Sequence, residues 1–144
     1  MLNVLLSALA AAGVAVSTHD GACPNIQGLY NTDTRAIKVC REQGTWTPIA
    51  QEILRHEAIH AVQHCRNGLS NMTASNKISY YYRRSQAMGF DLNQSLAPYI
   101  RAGFPMHVIH MEAEAWTLQR ALTNQQTAEL VNDVCGPLAR GVIR

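Results

Sequence analysis

The 144-residue sequence is short of charge, with 15% Asp, Glu, Lys and Arg, and short of aromatics, at 6%. Its twelve Lys and Arg are scattered, Arg83-Arg84 is the one adjacent basic pair, and the formal net charge is +2. Nucleic acid is therefore excluded as an expected partner, because binding it needs a basic face or stripe. No apolar run reaches the roughly 20 residues that span a bilayer. No Cys-x-x-Cys occurs among the four cysteines, which excludes a thiolate zinc ribbon. Internal repeats, low-complexity tracts and long linkers are also missing, so no second domain is expected.

What is present is an apolar fraction of 47%, ordinary for a globular chain long enough to bury one core. Residues 1–17 stand apart, since Leu2 to Val16 carries no charged side chain and no Lys or Arg precedes Arg35. The length suits a secretory signal, with Ala15 and Ser17 as small residues for cleavage, but the usual basic leading residues are lacking. An anchor making membrane contact through residues 2–16, or a helix packed on the domain, fits the same pattern. Residues 18–144 read as a single domain. Cys23 and Cys40 bracket a predicted hairpin and can pair cheaply, which leaves Cys65 for Cys135. Two disulfides favour an exported, periplasmic or extracellular-assembly setting over the cytoplasm; in a reducing compartment the same residues would be buried thiols.

The chain reads as α+β and mostly helical. Thr18 to Asn25 looks turn-rich, and Gly28–Tyr30 and Ala36–Cys40 look like short strands around the polar turn Asn31–Arg35. Thr47-Pro48 is a helix start, a capping hydroxyl followed by proline, and Gly68 suits the exit of a helix ending near Asn67. Tyr80-Tyr81-Tyr82 is either a strand or the start of a helix. Further helices are expected over Ser95–Ala102, Met106–Leu122 and Gln126–Cys135, the last stopping near Gly136-Pro137.

One segment carries chemistry, His56-Glu57-Ala58-Ile59-His60. Residues four apart on a helix differ by only about 40° of rotation, so both imidazoles can face one metal ion. Glu57 then lies where it can take a proton from water, as in the His-Glu-x-x-His pattern of two zinc ligands and a general base. Ile49 and Ile53 continue the histidine face, which predicts that this face is buried. His64 lies eight residues from His56, two turns along the axis and too far to share the ion. A third ligand is needed, and His107, His110, Glu112 and Glu114 are the downstream candidates. Glu112 and Glu114 point to opposite sides of one helix. Glu112 has Val108, Ile109, Ala115 and Trp116 around it, an apolar face on which a carboxylate needs a partner. Glu114 sits in the more mixed company of His110, Met111, Thr117 and Leu118. The expected ligand set for one zinc ion is His56, His60 and Glu112.

His56-Glu-x-x-His60 followed by Glu112-x-x-Ala115 resembles the gluzincin metallopeptidases. Locally, His56 to Arg66 preceded by Ala36-Ile-Lys-Val-Cys40 is similar to the small mitochondrial ATP-synthase-assembly metallopeptidases. The resemblance covers the middle two-thirds of the chain. It implies a zincin-like fold with an active-site helix, a short sheet whose edge binds peptide, and a second helix supplying the glutamate. Trp116 stands where several gluzincins have an aspartate that orients the first histidine.

The activity so implied is zinc-dependent hydrolysis of a peptide or protein substrate, with Glu57 as the base. The substrate would pair with the hairpin edge near Ala36–Cys40. Tyr80, Tyr81, Tyr82 and His107 are candidate oxyanion donors, among which nothing in the sequence chooses. The alternative is an inactive zincin-like module stapled by its metal within a larger assembly, whose partner the sequence does not identify.

Overall fold

The computed structural model describes residues 1–23, 25–139 and 141. Three strands, β1 (Ala15–Asp20), β2 (Gly28–Asn31) and β3 (Ala36–Arg41), form one sheet in the order β1-β3-β2. Helix α1 (Leu2–Ala11) precedes the sheet, and α2 (Pro48–Cys65), α3 (Ile78–Ala87), α4 (Leu92–Arg101), α5 (Met106–Ala121) and α6 (Asn124–Ala139) follow it. The α+β, mostly helical class is as the sequence predicts.

The N-terminal segment is not one unit. Leu5 and Leu9 of α1 are fully buried in the main core with Val131 and Cys135 of α6. Gly13, at a φ of 81°, makes the turn into β1, which runs parallel to β3 from Ala15 opposite Ala36 to Asp20 opposite Arg41. Thr18 to Asp20, expected as turn, is therefore strand. Ser17, Thr18, His19 and Asp20 lie on an edge strand with little buried surface, so no apolar alternation marks them. No described helix is long and apolar enough to cross a membrane.

The hairpin forms as its turn chemistry predicts. Asn31 Oδ1 accepts from the Asp33 and Thr34 amides, and Arg35 closes the turn at a φ of 54°. β3 lies between β1 and β2, so a peptide cannot add to Ala36–Cys40, contrary to expectation. The accessible edge next to α2 is β2. Cys40 N–H donates to Gln27 O; by antiparallel alternation Leu29 and Asn31 also bond to β3, and Gly28 and Tyr30 turn their backbone groups away from it, the Tyr30 N–H towards the Glu57 carboxylate.

Thr47 caps α2 through Ala50 N–H, with Pro48 in the first turn. Left-handed Gly68 and Leu69 end the following turn. The three tyrosines lie in α3, α4 starts three residues earlier than predicted, and α6 continues through Gly136-Pro137 to Ala139. Proline removes only one backbone bond near the helix end, while Val134 and Leu138 pack on the main core and hold that last stretch. α2 thus lies between the sheet and α5. A second core of Tyr81, Leu92, Leu96, Ile109 and Ala113 fixes α3 and α4 against α5.

Both disulfides expected from the cysteine spacing are present, Cys23–Cys40 and Cys65–Cys135. The second joins the end of α2 to α6 across a sequence separation of 70. Loop-closure entropy for that length corresponds to about 4 kcal/mol. Replacing Cys65 and Cys135 by alanine is expected to lower the unfolding free energy by about 2–4 kcal/mol, read by urea titration. An unchanged midpoint would show that the bridge contributes nothing.

Candidate metal centre

His56 and His60 on α2 face Glu112 on α5 across the packed helix pair, and all three side chains are buried. His56 Nε2 lies 3.2 Å from Glu112 Oε1, and His60 Nε2 lies 3.1 Å from Oε2. The two Nε2 atoms are 3.2 Å apart. Ligand atoms about 2.0–2.1 Å from a tetrahedral ion are separated by roughly 3.3 Å, so the triangle already has the dimensions a small divalent cation requires. Glu112 Oε1 accepts no conventional hydrogen bond, as expected of an oxygen shaped for a metal. The residues fit a bound ion.

Electrostatics point the same way. Burial alone would raise the Glu112 carboxyl, but the adjoining His56 and His60 imidazoles, which carry positive charge when doubly protonated, outweigh it and hold it well below the carboxylate range. Burial disfavours charge on His60, yet Glu112 and Glu57 reverse this and push it up to about 9. The charge that attracts a proton to this imidazole also attracts a divalent cation.

Both histidines are held from behind by glutamines. His56 Nδ1 donates to Gln119 Oε1 at 2.6 Å, and His60 Nδ1 donates to Gln63 Oε1 at 2.8 Å. A carbonyl oxygen can only accept, so each Nδ1 carries a proton, and a bound cation would take the Nε2 lone pair in place of a second proton. Gln119 Nε2 donates in turn to Glu52, which pairs with Arg120. With Trp116 packed edge-on against His56, Gln119 does the orienting that the sequence left without an owner.

Gln63 leads to a second buried acid. Its Nε2 donates to Met111 O and to Glu114 Oε1. Glu114 is 0% exposed, against the mixed surface expected for it. Arg66 Nη1 binds its Oε1 at 2.6 Å, while Ser75 N–H, Ser75 Oγ and Tyr81 OH bind Oε2. Five donors, one of them the Arg66 cation, satisfy this carboxylate. Burial would raise it, but Arg66 leads the groups that lower it. Glu114 belongs to the scaffold, and Glu112 to the metal group.

Glu57 is buried beside the three ligands without being one of them. Burial raises its carboxyl, opposed by the neighbouring histidines. β2 passes directly over it. A Cβ at Gly28 would stand 2.6 Å from Ile53 Cγ2 and 3.0 Å from Glu57 Oε1, so only glycine permits this approach. Ile53 is partly buried and Ile49 exposed; the predicted buried face opens here into a cleft of about 530 Å³ that His56 and Glu57 also line.

The expected oxyanion donors lie elsewhere. Tyr81 is committed to Glu114, Tyr80 accepts from Arg84, and Tyr82 faces the groove between α3 and α4. His107 is exposed on the first turn of α5. His64 is no ligand, as predicted, and its Nδ1 meets Tyr30 OH at 2.7 Å in the core. The donors beside the metal group are Tyr99 and Trp116, which line the cleft with His56 and Glu57. Burial and the Glu112 charge keep the Tyr99 phenol protonated. Trp116 Nε1 is buried without a hydrogen-bond partner among the described residues. Tyr99 carries no motif, since α4 brings it to the site only through tertiary packing. The spacing of seven from Glu112 to Gln119 was a legible signal for a common face. Comparison with family models, with curated proteins and with solved structures returned no match for this chain.

Proposed function

We propose that this chain is a zinc-dependent peptidase of zincin type. The observation that carries the reading is a buried Glu57, unligated and beside a His-His-Glu group, directly beneath a free strand edge. Two imidazoles and one carboxylate are the donor set of a catalytic zinc, and three protein ligands leave a position for water or substrate. A closed four-residue staple, the alternative, lacks a fourth side chain among the described residues. The two disulfides fit an oxidising, exported setting.

Zinc bound by His56, His60 and Glu112 supplies Lewis acidity to a peptide carbonyl and to water. An extended substrate pairs with the outward backbone groups of Gly28 and the carbonyl of Tyr30, which lays its main chain over the metal group. Glu57 accepts the proton of the attacking water and returns it to the leaving amine. Tyr99 OH and Trp116 Nε1–H donate to the oxygen on which negative charge develops. Gln63 and Gln119 fix the imidazole tautomers throughout.

Purified protein is expected to hold one zinc per chain by metal analysis and to lose peptide hydrolysis to a chelator, with recovery on adding zinc. Glu112→Ala should weaken zinc binding by more than about 100-fold, the upper range for merely supporting residues. Wild-type zinc content in that variant would refute the ligand set.

A further inference from the structure

Three elements run past the metal group in register, and each lines a cavity on either side of it. α2 contributes Ile49, Ile53 and His56 to the 530 Å³ cleft and His64 to a second cavity of about 860 Å³. α5 contributes Trp116 to the first and His107 and Met111 to the second. The hairpin contributes Ile26 and Gly28 to the first, then Thr32 and Arg35 to the second. The ligands His56, His60 and Glu112 thus fall between the two. Fifteen residue steps of α2 separate Ile49 from His64, about 22 Å along the axis. An extended peptide of about six or seven residues covers that length.

The two ends differ in chemistry. At the first, Ile26 and Ile49 are 63% and 69% exposed, and Ile53 and Trp116 line the interior. Of its charged residues, Glu52 and Arg120 pair with each other and Glu57 is buried, so the exposed large side chains at this end are the apolar Ile26 and Ile49. At the second, Arg35 forms no salt bridge among the described residues. Its Nη2 donates weakly to Cys65 Sγ at 3.7 Å, its Nη1 lies beside Gly13, and the guanidinium also meets the Tyr30 hydroxyl. Arg35 lines this cavity. Asp33 is the one acid in the lining and lies on the exposed turn. A guanidinium without an acidic partner among the described residues attracts a carboxylate.

β2 runs from the apolar end towards the Arg35 end, and antiparallel pairing is the more stable register for an added strand. A substrate so paired enters at Arg35 and leaves at Ile49. Resting on the peptidase reading, we propose that the cleft selects a substrate with an acidic side chain shortly before the scissile bond.

The test uses acetylated, amidated alanine-based octapeptides with leucine directly after the scissile bond and either glutamate or glutamine two positions before it. The zinc-loaded wild type is expected to show about a tenfold higher kcat/KM for the glutamate peptide at pH 7, the effect of roughly 1.4 kcal/mol. Arg35→Gln should bring that ratio to about one. A peptide with leucine before and glutamate after the bond should be cut more slowly than either. A wild-type ratio near one, or preference for the reversed peptide, overturns the proposal without touching the peptidase reading. Binding of the same peptides to zinc-loaded Glu57→Gln, by fluorescence anisotropy, separates the two claims. Absent turnover with glutamate-over-glutamine binding retained removes the peptidase reading alone, and equal binding removes the carboxylate site.

Discussion

Glu57→Gln is expected to bind zinc like the wild type and to cut peptides about 10²- to 10⁴-fold more slowly, the range for losing a general base. Glutamine has the shape of glutamate, so it fits beneath Gly28 and beside Ile53 as Glu57 does. It keeps an acceptor oxygen but cannot take up a proton. Glu57 is no member of the ligand group, so zinc stoichiometry should not change. Because Glu57 is buried and its carboxyl raised, removing its charge costs the fold little. Single-turnover cleavage beside metal analysis and a thermal melt decides the matter. Wild-type rates would exclude Glu57 as the base; lost zinc would instead make it a metal-site residue.

The parts of this site legible in sequence are those carried by one helix. His56, Glu57 and His60 need only helical periodicity, and Glu112 could be chosen from its apolar neighbours. Glu114 shows the limit of that reasoning. Its own helix looks mixed, and its burial depends on Arg66, Ser75 and Tyr81 arriving from two other segments. Tyr99 was invisible for the same reason. The parallel pairing of β1 with β3 was missed because Ser17 to Asp20 form a polar edge strand without alternation. Position alone cannot tell a central strand from an edge, which is why Ala36–Cys40 reads as the edge that β2 forms.

Glu114→Ala is expected to destabilise the protein by about 3–5 kcal/mol, the cost of removing one partner of a buried ion pair. Arg66 Nη1 would keep only its bond to Thr73 O, and Tyr81 and Ser75 would lose a shared acceptor inside the second core. Glu114→Gln keeps the shape and one acceptor, so it should lose less, about 1–3 kcal/mol. The carboxyl of Glu114 is lowered in the fold, so its contribution is complete above the unfolded value of about 4.3 and drains away as pH falls below it. The wild type should therefore lose more stability on acidification to pH 3 than Glu114→Gln does, and urea titrations at both pH values measure this. A Glu114→Ala loss under about 1 kcal/mol would mean the network is ornamental to the fold. Because Gln63 bridges Glu114 to His60, zinc affinity in Glu114→Gln should also fall, by about tenfold. Glu112→Ala behaves oppositely: the ion goes, while α5 stays packed through Ile109, Ala113 and Ala115. Two glutamates two positions apart on one helix are thus separable by whether the metal or the fold is lost first.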